Sequence, residues 1–440
     1  MADHSRCCVV AALVCLALLA AERRTEAGGF AVPDSDVASA GLGGASVAHP
    51  LGAASQLKNV AGLAFLDRAE LSFGGMGRVS MTDFTGASPY PGDGTTESET
   101  RTPRILPAFG YAQPLSAHLV IGLGVDAPFD LHTAWATPAA FSGRFIAQDA
   151  ALRCYSVSPS VAWKLADRLA IGGGLDANIV TLDMQRNLPA INPFTMHRVD
   201  GATLNLKSDS SVALGYRLGA LARLSESFAA GLAYRHTAPF SLTGSASVQR
   251  IPTGSSQLDN ALAASYPPGS VAFSRDVVFP DRFTGGIAYS WNNWVLAAEV
   301  SLERWSSFGS LGIEFADAPA LATSLTISSP SSPSLTNYQD TSQFRVGIER
   351  RLNHAAIVRL GYSYEPTPAP VQSLSPAFFD ATRHTLAVGA TFTSATWRVD
   401  LASGVRLLQE RSTEGTNLEG FDGTYKSTAP FLGLALSRVF

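Results

Sequence analysis

The chain has 440 residues, 15% of them charged and 39 of them glycine, with a formal net charge of −4. Ordinary soluble domains carry about 25% charged residues, and no basic stripe is present to draw nucleic acid. Beyond the N-terminus no stretch approaches eighteen consecutive apolar residues, which excludes a helical membrane protein; the low charge and high glycine suggest a large β-structure, against two or three soluble domains by length.

The first element is a leader. Cys7–Ala21, CCVVAALVCLALLAA, follows Arg6. The run is too short for a comfortable membrane helix and suits a signal-peptide core, so residues 1–27 are read as a signal peptide, cleaved near Ala27. It contains Cys7, Cys8 and Cys15, leaving Cys154 alone. No disulfide framework and no Cys-based zinc site is expected.

Next comes Ser39–Leu66, rich in Gly, Ala and Ser and nearly uncharged. A phosphate-cradling loop is one reading of GLGGAS. It fails on context: no strand precedes it, and no Lys-Ser/Thr pair or spaced acidic residue follows. The reading kept is a plug, residues 28–68, packed inside the barrel that follows.

Residues 69–440 are read as a transmembrane antiparallel β-barrel, and alternation is the reason. In Trp397–Leu407, Trp397, Val399, Leu401 and Val405 face one way and Arg398, Asp400 and Arg406 the other. Val212–Leu224 repeats the pattern, with Arg217 and glycines on its second face. A face of Arg, Asp and Gly suits a wet lumen better than a sandwich core. Arg217, Arg398 and Arg406 therefore point inward, where most such arginines pair with carboxylates. Fourteen strands are expected: 69–81, 104–113, 118–127, 153–165, 168–182, 204–224, 227–243, 280–291, 293–306, 342–352, 354–364, 383–394, 396–408 and 427–440. Short links alternate with long ones rich in Ser, Thr, Pro and Gly, as periplasmic turns alternate with extracellular loops. Trp163, Trp291, Trp294, Trp305 and Trp397 fall near strand ends and are assigned to interfacial girdles. The final strand ends on Phe440, like the signal read by the outer-membrane insertion machinery.

Two stretches carry a resemblance. GGFAVPDSDVASAGLGGASVA followed by KNVAGLAFL resembles the N-terminal hatch of the FadL family of outer-membrane transporters for hydrophobic compounds. Phe30, Gly41, Gly44, Ala45, Asn59, Ala61, Gly62 and Leu63 match, while Val60 replaces the motif proline. Downstream, DAPFDLHTAW, FSGRFIAQDAALRC, the Trp305-Ser306 pair and DATRHTLAVGATF are similar to the family's third loop and later strands, including Asp380, Arg383 and His384. The resemblance implies passive uptake of a hydrophobic compound, foremost a long-chain fatty acid. Capture would be extracellular, binding luminal, and exit sideways near a kinked third strand.

On that reading Phe129, Leu131, Trp135, Phe141 and Phe145 offer an apolar capture surface, and Arg144 either meets a ligand carboxylate or pairs with Asp149. Phe30, Asn59, Val60, Ala61 and Gly62 belong to hatch and gating. Gly122, Gly124, Asp126 and Pro128, poor strand residues, mark the lateral gap, with Ala61 taken to face Gly124. No catalytic constellation, metal site or cofactor is expected, and the protein is not expected to be an enzyme. Expected partners are the hydrophobic ligand, outer-membrane lipid and lipopolysaccharide, and the insertion machinery. A monomer in the outer membrane of a Gram-negative bacterium is expected. The alternatives are a general porin, an adhesive barrel, or an outer-membrane protease or lipase.

Overall fold

The computed structural model describes residues 28–32, 34–192, 195–266, 269–308, 314–315, 337–413 and 415–440; the expected signal segment lies outside them. Fourteen strands form the ring: β1 (Glu70–Val79), β2 (Pro103–Pro114), β3 (Leu119–Ala134), β4 (Asp149–Ala166), β5 (Leu169–Ile191), β6 (Ser211–Arg223), β7 (Phe228–Thr237), β8 (Arg282–Trp291), β9 (Trp294–Glu303), β10 (Thr341–Arg351), β11 (Ala356–Glu365), β12 (Arg383–Ser394), β13 (Trp397–Leu408) and β14 (Gly423–Val439). Each pairs antiparallel with the next. β14 returns to β1, from Glu70↔Val439 to Arg78↔Phe431, and closes the sheet. Closure satisfies the backbone without water, the condition for crossing hydrocarbon.

Burial along the strands is inverted relative to a soluble protein. Leu432, Leu434 and Leu436 of β14 are 66%, 57% and 46% exposed, while the alternate residues Ala435 and Ser437 are buried. Apolar side chains thus face lipid and polar ones face inward. The short turns lie at one end, where Trp163 and Trp397 are exposed and Trp291 stacks on Trp294 at 6.3 Å. Trp305 departs from the girdle assignment. It is fully buried at the opposite end, inside the ring, because its indole Nε1–H donates to Glu303 Oε2 at 2.8 Å.

Several strand limits differ from expectation at the long-loop end. β3 continues to Ala134, β4 begins at Asp149 and β5 runs 23 residues to Ile191. The expected 204–224 strand is two, Arg198–Ser208 and β6. The expected 227–243 strand ends at Thr237, before Pro239, whose missing N–H cannot join a ladder; a second strand, Phe240–Arg250, then begins. Arg198–Ser208 pairs with β5 and with Phe240–Arg250, and the latter with Gly269–Val277. Strands can leave the membrane without stopping because the ladder goes on satisfying each residue's N–H and C=O beyond the interface. A helix, Ser256–Ser265, packs Leu258 and Leu262 onto Leu188, Leu204 and Phe273 of this outer sheet.

The N-terminal segment is compact and sits against the inner face. Its helix α1 (Val37–Gly41) is capped by Asp36, which accepts from the Ala38 N–H at 3.2 Å. A 3₁₀ turn, Val60–Phe65, is capped by Asn59 in the same way, at 3.1 Å. Contacts run right round the ring. Gly41 lies on Gly389 of β12, Gly43 on Gly361 of β11, Leu42 on Gly347 of β10, and Val47 on Gly231 and Gly286 of β7 and β8. On the other side Ala61 meets Gly172 of β5, and Ala53 and Ala54 meet Gly110 of β2. A Cβ built on Gly361 would clash with the Gly43 nitrogen. Glycine on both surfaces is what lets backbone approach backbone here.

Candidate substrate passage

The candidate site lies where β3 loses its partner. β3 pairs with β2 only over Val120–Val125 against Phe109–Pro114. Immediately beyond, the β3–β4 register jumps from Asp126↔Ser156 to Phe129↔Cys154, a bulge holding Ala127 and Pro128. Pro128 has no N–H for the ladder, and a bulge bends the strand away. Residues 103–108 of β2 therefore have no strand partner on that side among the described residues. The N-terminal segment takes part of the vacancy. Val32 N–H donates to the Pro128 carbonyl at 2.8 Å, Asp130 N–H donates to the Phe30 carbonyl at 3.1 Å, and Ala31 bridges Phe129. Val32, Leu106 and Ala127 form a small buried apolar cluster across the seam.

Ion pairs strap the seam. Arg78 and Arg104 are direct cross-strand partners, a repulsive arrangement alone. Asp130 of β3 bridges them, at 3.3 Å to Arg78 Nη2 and 2.5 Å to Arg104 Nη2.

Inside the seam stands an aromatic cluster. Phe129 stacks on Phe279 at 4.2 Å; Phe30 lies edge-on to Trp305 at 4.9 Å and to Phe308 at 5.1 Å. Leu131 packs against the cluster, and Cys154 is buried in it. Trp135 and Phe141 are elsewhere. They stack on each other at 4.2 Å in a second cluster with Phe84, Phe421 and Tyr425. Arg144 and Phe145 occupy a third place: Arg144 lies over the Phe145 ring at 4.6 Å, Arg198 lies over the same ring at 5.3 Å, and Arg144 Nε reaches Asp200 at 2.7 Å. Asp200, not Asp149, is the partner of Arg144; Asp149 stands 3.9 Å from His132. The chain thus brings Phe129, Leu131 and Phe30 together and holds the other four apart.

Of the residues expected at the gap, Asp126 and Pro128 stand at its start, and Gly122 and Gly124 lie in the paired stretch below. Gly122 makes room for Gln56 and Leu63, and Gly124 for Leu57. Ala61 does not face Gly124; it seats on Gly172. Asp126 is a member of a luminal network, 2.8 Å from Arg235 and 3.4 Å from Arg217, which share Asp176 at 2.9 and 2.7 Å. Arg217 Nη1 also donates to the Gln56 carbonyl at 3.3 Å, tying wall to N-terminal segment. Asn59 donates to the carbonyls of Val47 and Ala220 at 2.8 and 3.1 Å. Val60 and Ala61 are fully buried, and a Cβ on Gly62 would press on Pro50. Lys58 reaches Glu299 at 2.7 Å, and Glu299 also holds Arg345 at 3.0 Å. Arg398 pairs with Glu70 and Asp400, both at 2.9 Å. Within the N-terminal segment, burial and the nearby Asp400 push the Asp36 carboxyl up to about 7.

Sequence reasoning missed Phe279, Phe308 and Asp130. The first two sit in long connections, where no periodicity marks a residue's direction. Asp130 had a parity signal, since it shares a face with Pro128. Among the described residues no group of His, Cys, Asp or Glu converges to hold a metal ion.

A closed fourteen-stranded antiparallel barrel with an apolar outer face is the architecture of an outer-membrane channel protein. The chain belongs to the family of outer membrane protein transport proteins that includes FadL and TodX, whose profile matches residues 18–440. It is similar to the crystal structure of a Pseudomonas aeruginosa FadL homologue at 18% identity, covering 93% of this chain and 99% of that one with a TM-score of 0.76. It is similar to the Pseudomonas putida toluene transporter TodX, also at 18% identity, covering 94% and 99% with a TM-score of 0.70. The CymD monoaromatic hydrocarbon channel follows at 17% identity, covering 92% and 97% with a TM-score of 0.62. No curated protein sequence matches. The family's members are transport channels, and this protein is an outer-membrane transporter of hydrophobic compounds.

Proposed function

We propose that this protein takes up long-chain fatty acids or similar amphiphiles passively, and that substrate leaves sideways through the β2–β3 seam while residues 28–66 plug the lumen. The observation that carries the reading is the seam itself, where among the described residues β2 is unpaired beside the Pro128 bulge and the opening is spanned by residues 30–32, the Val32–Leu106–Ala127 contact and two ion pairs. Crossing an aqueous lumen would expose an alkyl tail at about 0.8 kcal/mol per CH₂. A sideways exit into lipid avoids that cost. The aromatic cluster of Phe30, Phe129 and Phe279 supplies apolar wall next to the seam. Phe30 belongs both to that cluster and to the stretch pairing with β3, so substrate that displaces Phe30 also unpairs residues 30–32. A neutral monoaromatic substrate, as in TodX and CymD, is the second reading, favoured by the aromatic rather than aliphatic lining.

Uptake of labelled palmitate and labelled toluene, measured in a Gram-negative host lacking its own fatty-acid channel, separates the two. Palmitate entry that depends on the protein supports the first reading. Toluene entry alone supports the second. Entry of neither, with the barrel folded in the outer membrane, overturns both.

A further inference from the structure

The lipid-facing rows of β10 and β14 end alike at the short-turn end of the barrel. On β10 the outward residues run Phe344, Val346, Ile348 and then Arg350; on β14 they run Leu432, Leu434, Leu436 and then Arg438. Each arginine is exposed and is the direct cross-strand partner of a tryptophan, Arg350 of Trp294 and Arg438 of Trp397. Each guanidinium lies over that ring, at 4.8 Å for Arg350 and 5.3 Å for Arg438, and Arg438 also covers the Phe440 ring at 5.0 Å. The same construction thus occurs on two strand pairs that are not neighbours.

Both arginines stand where the apolar band stops. Short turns are periplasmic in an outer-membrane barrel, so this is the level of the phosphates of the periplasmic leaflet. An arginine here keeps its stem on the apolar wall and its charge at the boundary. The indole beneath holds the guanidinium flat, so less freedom remains to be lost on binding. What these cations lack is an anion. Among the described residues neither makes an ion pair or hydrogen bond to a side chain. The acids nearest in sequence are spent inside the ring: Glu349 on Arg359 at 2.7 Å, and Asp400 on Arg398 at 2.9 Å. The main-chain oxygen of Phe440 accepts from Arg68 Nε at 2.9 Å.

We propose that the Trp294–Arg350 and Trp397–Arg438 pairs are two binding sites for the phosphate of an anionic phospholipid, of the phosphatidylglycerol kind, in the periplasmic leaflet. The guanidinium fork matches phosphate oxygens, and such charge-assisted hydrogen bonds are strong. The acyl chains of the bound lipid lie along the apolar rows that each arginine ends. The sites are continuous with the face the barrel already turns to lipid, which is why a membrane lipid, and not a soluble anion, is the occupant. No free side-chain carboxylate stands beside either pair to receive an ammonium group, so a zwitterionic lipid gains less than an anionic one. The ladder sets each arginine opposite its tryptophan, so the sites need no loop to form them. The inference does not depend on which compound the channel carries.

The test places the full chain in nanodiscs of equal phosphatidylglycerol and phosphatidylcholine and identifies, by native mass spectrometry after mild release, the lipids that stay bound. The unaltered protein is expected to retain phosphatidylglycerol over phosphatidylcholine by on the order of fivefold. Arg350→Gln and Arg438→Gln are each expected to lower that preference and together to abolish it, while Lys at both positions keeps most of it. Arg168→Gln, at the same end but paired with Glu226 at 2.6 Å, is expected to leave it unchanged. The variants are checked for a folded barrel by heat-modifiable migration. Equal retention of the two lipids by the unaltered protein overturns the sites whatever the variants do, as does a preference that survives the double Gln variant. A loss in Arg168→Gln as large as in the double variant also overturns them, because the attraction would then belong to the rim as a whole.

Discussion

Asp36 shows what a single residue does in this lumen. It caps α1 with its carboxylate, yet burial and Asp400 hold its proton on up to about 7, against 3.8 unperturbed. A carboxyl whose folded pKa is raised favours the packed state when protonated. Its contribution is complete below about 3.8, declines as pH rises toward about 7 and is flat above. Asn caps a helix as well as Asp does and does not titrate. The difference in Tm between the unaltered protein and Asp36→Asn should therefore grow more unfavourable for the unaltered protein from pH 4 to pH 7 and then level off. A difference independent of pH would mean that Asp36 is ionised throughout. At Phe129 the expectation concerns packing. Its ring lies against Phe279 and Phe30, and Phe129→Ala should cost about 3–5 kcal/mol of stability by the usual price of a buried aromatic. Denaturant titration of the reconstituted barrel reads this, and a loss below 1 kcal/mol would mean the cluster collapses to fill the space.

Among the elements, β3 carries the most consequence. Its lower half is an ordinary membrane strand, paired on both sides with glycines turned to the N-terminal segment. Its upper half, after Pro128, pairs with β4 on one side, while on the other it meets the short stretch of residues 30–32 and, at its end, Thr100. The seam is then kept shut by Val32, Leu106 and Ala127 and by Asp130 with its two arginines. Leu106→Cys with Ala127→Cys places two thiols across it, and a short reducible bifunctional linker should lock it. Palmitate uptake is expected to stop in the locked protein and return on reduction. Cys154 is buried and should not compete for the reagent. Uptake that continues through a fully cross-linked population rules out the lateral route. Asp130→Asn should act oppositely, leaving Arg78 and Arg104 in unrelieved repulsion and raising uptake several-fold.

For the whole molecule the question is what fills the ring. Residues 28–66 tie themselves to the wall by Lys58–Glu299, by Asn59 on Ala220 and by Glu70 accepting the Ala53 N–H at 3.1 Å. The first two cross between elements far apart in sequence, so they form only once the barrel has closed, whereas Glu70 belongs to the strand that directly follows the segment. Deleting residues 28–66 should leave a barrel that inserts but conducts ions in a planar bilayer and unfolds at lower temperature. A deleted protein as tight as the full chain would show that the outer loops, not this segment, seal the channel.

Alternation along each strand made the ring legible from sequence, because a membrane barrel separates lipid from lumen at every residue and the period of two records that choice. The fourteen strands, the short turns at one end and the Trp pairs near them followed from that alone. Pro128 and its neighbours marked where β3 bends, since a residue without an N–H cannot complete a ladder. Closeness in space was not legible. Trp135 and Phe145 lie in one stretch with Phe129, yet the upper ends of β3 and β4 carry them to separate clusters. Phe279 and Trp305 come from connections with no period and meet Phe30 only across the closed ring. Parity said that Arg217, Arg398 and Arg406 face inward. Only the tertiary structure decided that Arg217 meets Asp126 and Asp176 and that Arg398 meets Glu70 and Asp400, because a charge's partner is set by which strands the barrel brings opposite it, and sequence distance carries no record of that.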